Sequence, residues 1–149
     1  MTDPQPDIPQ HYRDKASDLL RAHLALDPDP GVQAMNALAA PPAEAVDRVA
    51  RKLMEKDHAQ YRAIIATLDA ESRAVLRTLT DGEVVYPAAD IAGDAGVPLR
   101  RTRLILRNLR DAGLAKKTAL YCDGMLAGSG TYLTGLGEKV VRELEALNG

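Results

Sequence analysis

Five arginines and two lysines fall in one short stretch, GVPLRRTRLILRNLRDAGLAKK from Gly96 to Lys117, where Asp111 is the only acid. Guanidinium groups at this density suit oxyanions. The planar fork of Arg takes two acceptors at once, on a phosphate or on the edge of a guanine. The chain as a whole does not share this charge: its 149 residues carry a formal net charge of −2. Residues 1–60 hold seven Lys or Arg against ten Asp or Glu, whereas residues 98–117 hold seven against one. The positive charge is therefore local, and a local patch can dock on a polyanion without the rest of the molecule coating it.

A step of about 100° per residue sorts the stretch into helix faces. Leu99, Thr102, Leu106, Leu109 and Gly113 share one sector, with Ile105 and Ala112 beside it, and form the stripe expected to face a core. Arg100, Arg103, Arg107 and Arg110 form a second stripe next to the first, and Arg101, Leu104 and Asn108 lie on the remaining outward face. A helix held by one stripe can enter the major groove of duplex DNA. By position, Arg100, Arg101 and Arg103 fall near the entering end and are expected at base edges. Leu104 would meet a thymine methyl, and Arg107 and Arg110 would meet phosphates. This reading requires Leu99, Leu106 and Leu109 to be buried, and no carboxylate to close over the arginines.

The surrounding elements must hold that helix. Residues 1–10 contain three Pro and no periodic pattern, so a loose tail is expected there. Helical spacing runs from His11 to Leu26, is stopped by DPDPG at 27–31, resumes in VQAMNALAA and breaks at Pro41–Pro42. A long helix follows to about Leu68, with Val46, Val49, Leu53, Tyr61, Ile64 and Leu68 on its apolar stripe and Asp57 among them. Asp69 is placed to cap a helix over 70–79. EVVY at 83–86 reads as a short strand, 87–96 as a brief helix with Pro at its start and Gly at its end, and 98–112 as the arginine helix with Gly113 as its cap. Strands are expected at 114–122 and 131–134, with 123–130 as the turn, before a closing amphipathic helix at 138–147.

DIAGDAGVPLRRTRLILRNLRDAGLAKK and TYLTGLGEKVVREL resemble the winged helix-turn-helix domain of bacterial regulators, in the broad MarR- and ArsR-like sense. The resemblance covers about residues 69–147. It implies a mainly α fold with a two-stranded wing, plus an N-terminal helical extension over 11–68. Residues 98–112 would be the recognition helix and 115–133 the wing, with Lys116 and Lys117 at its base near the phosphates of a docked duplex. The function implied is sequence-specific binding of double-stranded DNA by a transcriptional regulator. A homodimer would form through the N-terminal helices, because one recognition helix reads few base pairs. The sequence departs from the family at the wing tip, DGMLAGSG, which has no Lys or Arg. Met125, Leu126 and the outward Leu104 would equally suit a protein contact, so the competing reading is an interaction module in a larger assembly.

Other functions find little support. Ser129 in AGSGT lacks a strand–elbow–helix setting, and GLAKKT lacks the Gly-rich loop of a phosphate site. No catalytic residue, cofactor or metal site is expected: His11, Asp14 and Asp18 share a helix side without a cysteine pair or a second nearby His. No residue pattern specifies a small-molecule effector. Cys122 is the single cysteine, no apolar run nears the ~18 residues that span a bilayer, and MTDPQPDIPQ is unlike a secretion signal. Together these read as a cytoplasmic protein. Arg outnumbers Lys 13 to 6, a bias that fits a GC-rich bacterial genome.

Overall fold

The computed structural model describes residues 7–26, 28–38 and 40–148, the side chains of 36–38 excepted. Residues 1–6 of the expected tail, Asp27 of the DPDPG stop, Ala39 and Gly149 lie outside the described residues. The elements are α1 (Gln10–Leu24), α2 (Pro30–Leu38), α3 (Ala43–Ala66), α4 (Ala70–Thr78), β1 (Tyr86–Pro87), α5 (Ala88–Ala95), α6 (Leu99–Asp111), β2 (Ala115–Cys122), β3 (Met125–Leu133) and α7 (Gly135–Asn148). The chain divides into two compact units, Met1–Ala59 and Gln60–Gly149, so the division falls inside α3.

The first unit packs Ile8, Tyr12, Ala16, Val46 and Ala50 into a small core, with Leu20, Val49, Leu53 and Met54 against it. Ile8 is buried although it precedes α1, so packing begins ahead of the helix. Asp57, the acid on the apolar stripe of α3, accepts a 2.9 Å hydrogen bond from the Tyr12 hydroxyl. That bond satisfies a carboxylate that would otherwise sit unpaired beside apolar groups.

The second unit is a winged helix-turn-helix. Its core joins Tyr61 and Ile65 of α3 to Val75, Leu76, Ile91, Ile105, Leu106, Leu109, Leu114, Leu133, Val140 and Leu144. Each fully buried Leu or Ile contributes about 1.5–3 kcal/mol relative to exposure, so this cluster dominates the unit's stability. Asp69 caps α4 as expected, its Oδ1 accepting from the Ser72 amide at 2.8 Å. α5, α6 and α4 pack on one another. Gly96, in the left-handed region at φ 68°, ends α5. Beyond Gly113, the Leu114 amide reaches back to the Leu109 carbonyl at 2.9 Å and closes α6. One interaction was invisible in the sequence: Glu143 is 4% exposed on the inner face of α7, and the Arg62 Nε of α3 donates to its Oε1 at 2.8 Å.

Three strands, ordered β1-β3-β2, form the antiparallel sheet. Two strand expectations need correction. Of the strand expected over 83–86, residues 83–85 are not strand and only Tyr86 is. Asp81 Oδ1 takes the Glu83 amide at 3.1 Å and bends the chain, so pairing begins only at Tyr86 and Pro87, opposite Thr131 and Gly130. The turn expected over 123–130 is two residues long. Asp123 and Gly124 both have positive φ, 51° and 78°, which is the geometry that matches the twist of a tight hairpin. Met125–Gly130 therefore continue as strand, and a register shift at Leu120/Tyr121 absorbs one extra residue. β3 hands over to α7 at Thr134. Its hydroxyl donates to the Gly113 carbonyl at 2.7 Å and accepts from the Gly137 amide at 3.1 Å, so α7 starts three residues before the expected 138.

Gly137 is buried against the backbone of Leu114, and a Cβ there would overlap the Leu114 carbonyl oxygen and sit 3.0 Å from Leu133 Cδ2. Gly137→Ala should therefore cost about 1–3 kcal/mol through overpacking. Gly135→Ala, with open space around its Cβ, should stay within about 0.5 kcal/mol of wild type in a denaturant melt.

Candidate nucleic-acid interface

α6 is anchored by four buried residues: Thr102 at 0%, Ile105 at 1%, Leu106 at 2% and Leu109 at 1% exposure. The Thr102 hydroxyl is satisfied by the Val97 carbonyl at 3.3 Å. The anchoring stripe differs from the sequence expectation at both ends. Ile105 lies at its centre rather than its edge. Leu99 is 36% exposed and Gly113 is also exposed, because the first turn of α6 and the residue after its last turn run past the core.

Arg100, Arg103 and Arg107 are exposed on the helix, as are Leu104 and both lysines, Lys116 and Lys117. Arg110 is half-buried, and its Nη1 donates to Thr131 Oγ1 of β3 at 3.4 Å. Between α6 and the hairpin lies a cleft of about 240 Å³ where Arg103, Arg110 and Lys117 converge around Ala88, Leu106, Ser129 and Thr131. Three cations from two elements thus share one opening beside hydroxyl donors, an arrangement that can hold an oxyanion by charge and by hydrogen bonds.

Strand alternation separates the two lysines. Lys117 pairs with Thr131 and lies on the face that lines the cleft, whereas Lys116 pairs with Tyr132 on the opposite face. The doublet read as one feature in the sequence is therefore two features in space. The distal hairpin carries no cation: Tyr121 is 69%, Met125 75% and Leu126 69% exposed. Tyr121 and Leu126 face each other across the strands, as do Cys122 and Met125 on the other side.

Two of the conditions set by the sequence are not met in full: Leu99 is exposed rather than buried, and carboxylates close on Arg101. Its Nη2 donates to Asp69 Oδ2 at 2.9 Å, and its Nε lies 3.8 Å from Glu71 Oε2. Sequence spacing could not show this, because Asp69 and Glu71 precede it by some thirty positions and belong to the α4 terminus. Among the described residues, the remaining cations of the patch show no such carboxylate contact. Among the described residues no group of three His, Cys, Asp or Glu is arranged to hold a metal, and no helix is long and apolar enough to cross a membrane.

No protein-family model and no curated protein matches the sequence. Among solved structures the chain is similar to MepR from S. aureus in a DNA complex, at 17% identity over 69% of this chain and 82% of that one, with a TM-score of 0.47. It is also similar to the MarR family transcription regulator SP03579, at 14% identity over 93% and 75% of the two chains, TM-score 0.48. A third is the MarR family protein Rv2887 of Mycobacterium tuberculosis in complex with salicylic acid, at 23% identity over 74% and 78%, TM-score 0.43.

The Asp69 carboxyl is held below its ordinary value of 3.8, first by hydrogen bonds from Ser72 and then by the Arg101 guanidinium. A carboxyl lowered in the fold stabilises it above the unfolded value, and that stabilisation is lost as pH falls through the lower, folded value. Wild type should therefore gain stability relative to Asp69→Asn in denaturant melts as pH rises through the acid range. A gap that ignores pH would contradict this.

Proposed function

We propose that this chain binds duplex DNA as a transcriptional regulator, with α6 as the recognition helix in the major groove. The observation that carries the reading is the pairing of a fully buried anchor, Thr102, Ile105, Leu106 and Leu109, with the cations that project beside it. The anchor fixes the helix axis, so the arginine side chains approach a groove as a set. Arg100 and Arg103 take base edges, and Leu104 meets a thymine methyl. Arg107, Arg110 and Lys117 take phosphates, the last two from the cleft wall. Arg101 leaves the base-reading set because Asp69 and Glu71 occupy it, and Lys116 leaves the phosphate set because its strand face points away.

In this reading residues 69–149 form the DNA-binding domain and residues 11–68 the region through which a second copy joins. α2 contains no charged residue, and Val32 and Met35 on it are 37% and 73% exposed, as are Leu19 at 48% and Leu26 at 78% nearby. An uncharged helix left open in this way suits an interface within a homodimer. Two recognition helices would then read half-sites about 34 Å apart, one turn of duplex. The activity is binding rather than catalysis, needs no cofactor, and takes place in the cytoplasm. A second reading, a protein-interaction module, draws on the apolar hairpin end formed by Tyr121, Met125 and Leu126.

Titrating salt against duplex affinity separates the two readings. A DNA-binding chain gives a steep linear fall of log affinity with log salt, about 0.9 per phosphate neutralised, whereas an interaction module gives no duplex binding at low salt. Lys117→Ala should flatten the slope by about 0.9 on every sequence, while Lys116→Ala should leave it nearly unchanged. Arg100→Ala and Arg103→Ala should each cost about 1–3 kcal/mol on the preferred site and relax its sequence preference. Uniform losses on all duplexes would contradict base reading by these two residues.

A further inference from the structure

Arg101 stands on the outward face of α6, one residue from Arg100 and two from Arg103, yet it is the arginine of the patch that two carboxylates hold. The holding is built in. Asp69 uses Oδ1 to cap α4 through the Ser72 amide, which fixes the carboxylate's orientation and leaves Oδ2 aimed at the guanidinium. Glu71, in the first turn of α4, adds a second negative charge at 3.8 Å. All three side chains are 41–53% exposed, so the cluster lies on the surface beside the helix rather than inside the fold.

We infer that Asp69 and Glu71 form a counter-charge latch that withholds Arg101 from the DNA backbone. The inference rests on the DNA-binding reading above and deepens it by assigning the control of non-specific affinity. Two anions against one cation leave Arg101 without free positive charge, while exposed Arg100, exposed Arg103 and the cleft remain available. A surface ion pair is weak and screened by salt, so the latch adjusts affinity rather than stability. Its consequence is selectivity: binding must draw on base contacts and the cleft, because Arg101 does not grip any backbone it meets.

The test is a charge-neutralising cycle on the full chain, read by salt titration of a random duplex. Asn is as good a helix cap as Asp, so Asp69→Asn with Glu71→Gln removes the charge and keeps the α4 terminus. Glu71→Gln alone leaves the cap untouched and serves as the second variant. The double variant should bind random duplex about three- to fivefold tighter, with a log–log slope steeper by about 0.9, one phosphate contact. Adding Arg101→Ala to it should abolish the gain in slope. In the otherwise wild-type chain, Arg101→Ala should barely move the slope. The inference is overturned if Arg101→Ala alone flattens the slope as Lys117→Ala does, since Arg101 would already be on the backbone. It is equally overturned if the double variant gains nothing, or if its gain survives Arg101→Ala. These results leave wild-type DNA binding intact, whereas a wild type that binds no duplex at low salt removes the functional reading and the latch together.

Discussion

The interface depends on burial of one stripe of α6. Thr102, Ile105, Leu106 and Leu109 are each at most 2% exposed, the last three in one cluster with Leu76 of α4, Ile91 of α5 and Val140 and Leu144 of α7. A helix held on one side over about two turns cannot roll, so the direction of every other side chain on it follows. Removing methyl groups from such a stripe would cost about 2–5 kcal/mol per large-to-small change. The cost in function would be greater than that number suggests, because the arginines would lose their common orientation before the unit unfolded.

The second constraint is how closely the hairpin approaches this helix. Thr134 ties β3 to the loop after α6 through the Gly113 carbonyl, and the Leu114 carbonyl accepts the Thr134 amide at 3.1 Å. Arg110 bonds to Thr131 across the same gap. These contacts place Lys117 beside Arg103 and Arg110, and so turn a cationic helix face into a cleft with two walls. Carboxylates act in the opposite sense at the other end of α6, where Asp69 serves as both helix cap and partner of Arg101. Arg101 is thereby neutralised while Arg100, Arg103 and the cleft stay cationic.

Much of this was legible in the sequence. Periodicity located the long α3, the Asp69 cap, the short α5 and the arginine helix, because each is governed by local rules: apolar spacing, a capping carboxylate, Pro at a start and Gly at an end. The misreadings arose where distant residues decide. Leu99 fits the apolar stripe on a helical wheel, but no core lies opposite the first turn. EVVY has the composition of a strand, yet the Asp81 side chain captures its backbone before it can pair. Glycines at 128 and 130 suggested an extended turn, whereas Asp123–Gly124 already completes it and leaves them in β3. The split of Lys116 from Lys117 follows from strand alternation once the register is known. The pairing of Arg101 with α4 is a tertiary contact with no local signature.

Mapping amide and arginine side-chain NMR shifts as duplex is added to the labelled chain checks whether an anchored α6 presents its cations jointly to DNA. Perturbations should concentrate on Arg100, Arg103, Leu104, Arg107, Arg110 and Lys117, with the buried stripe keeping its native shifts. Changes confined to the Tyr121–Leu126 end of the hairpin, with α6 silent, would contradict joint presentation.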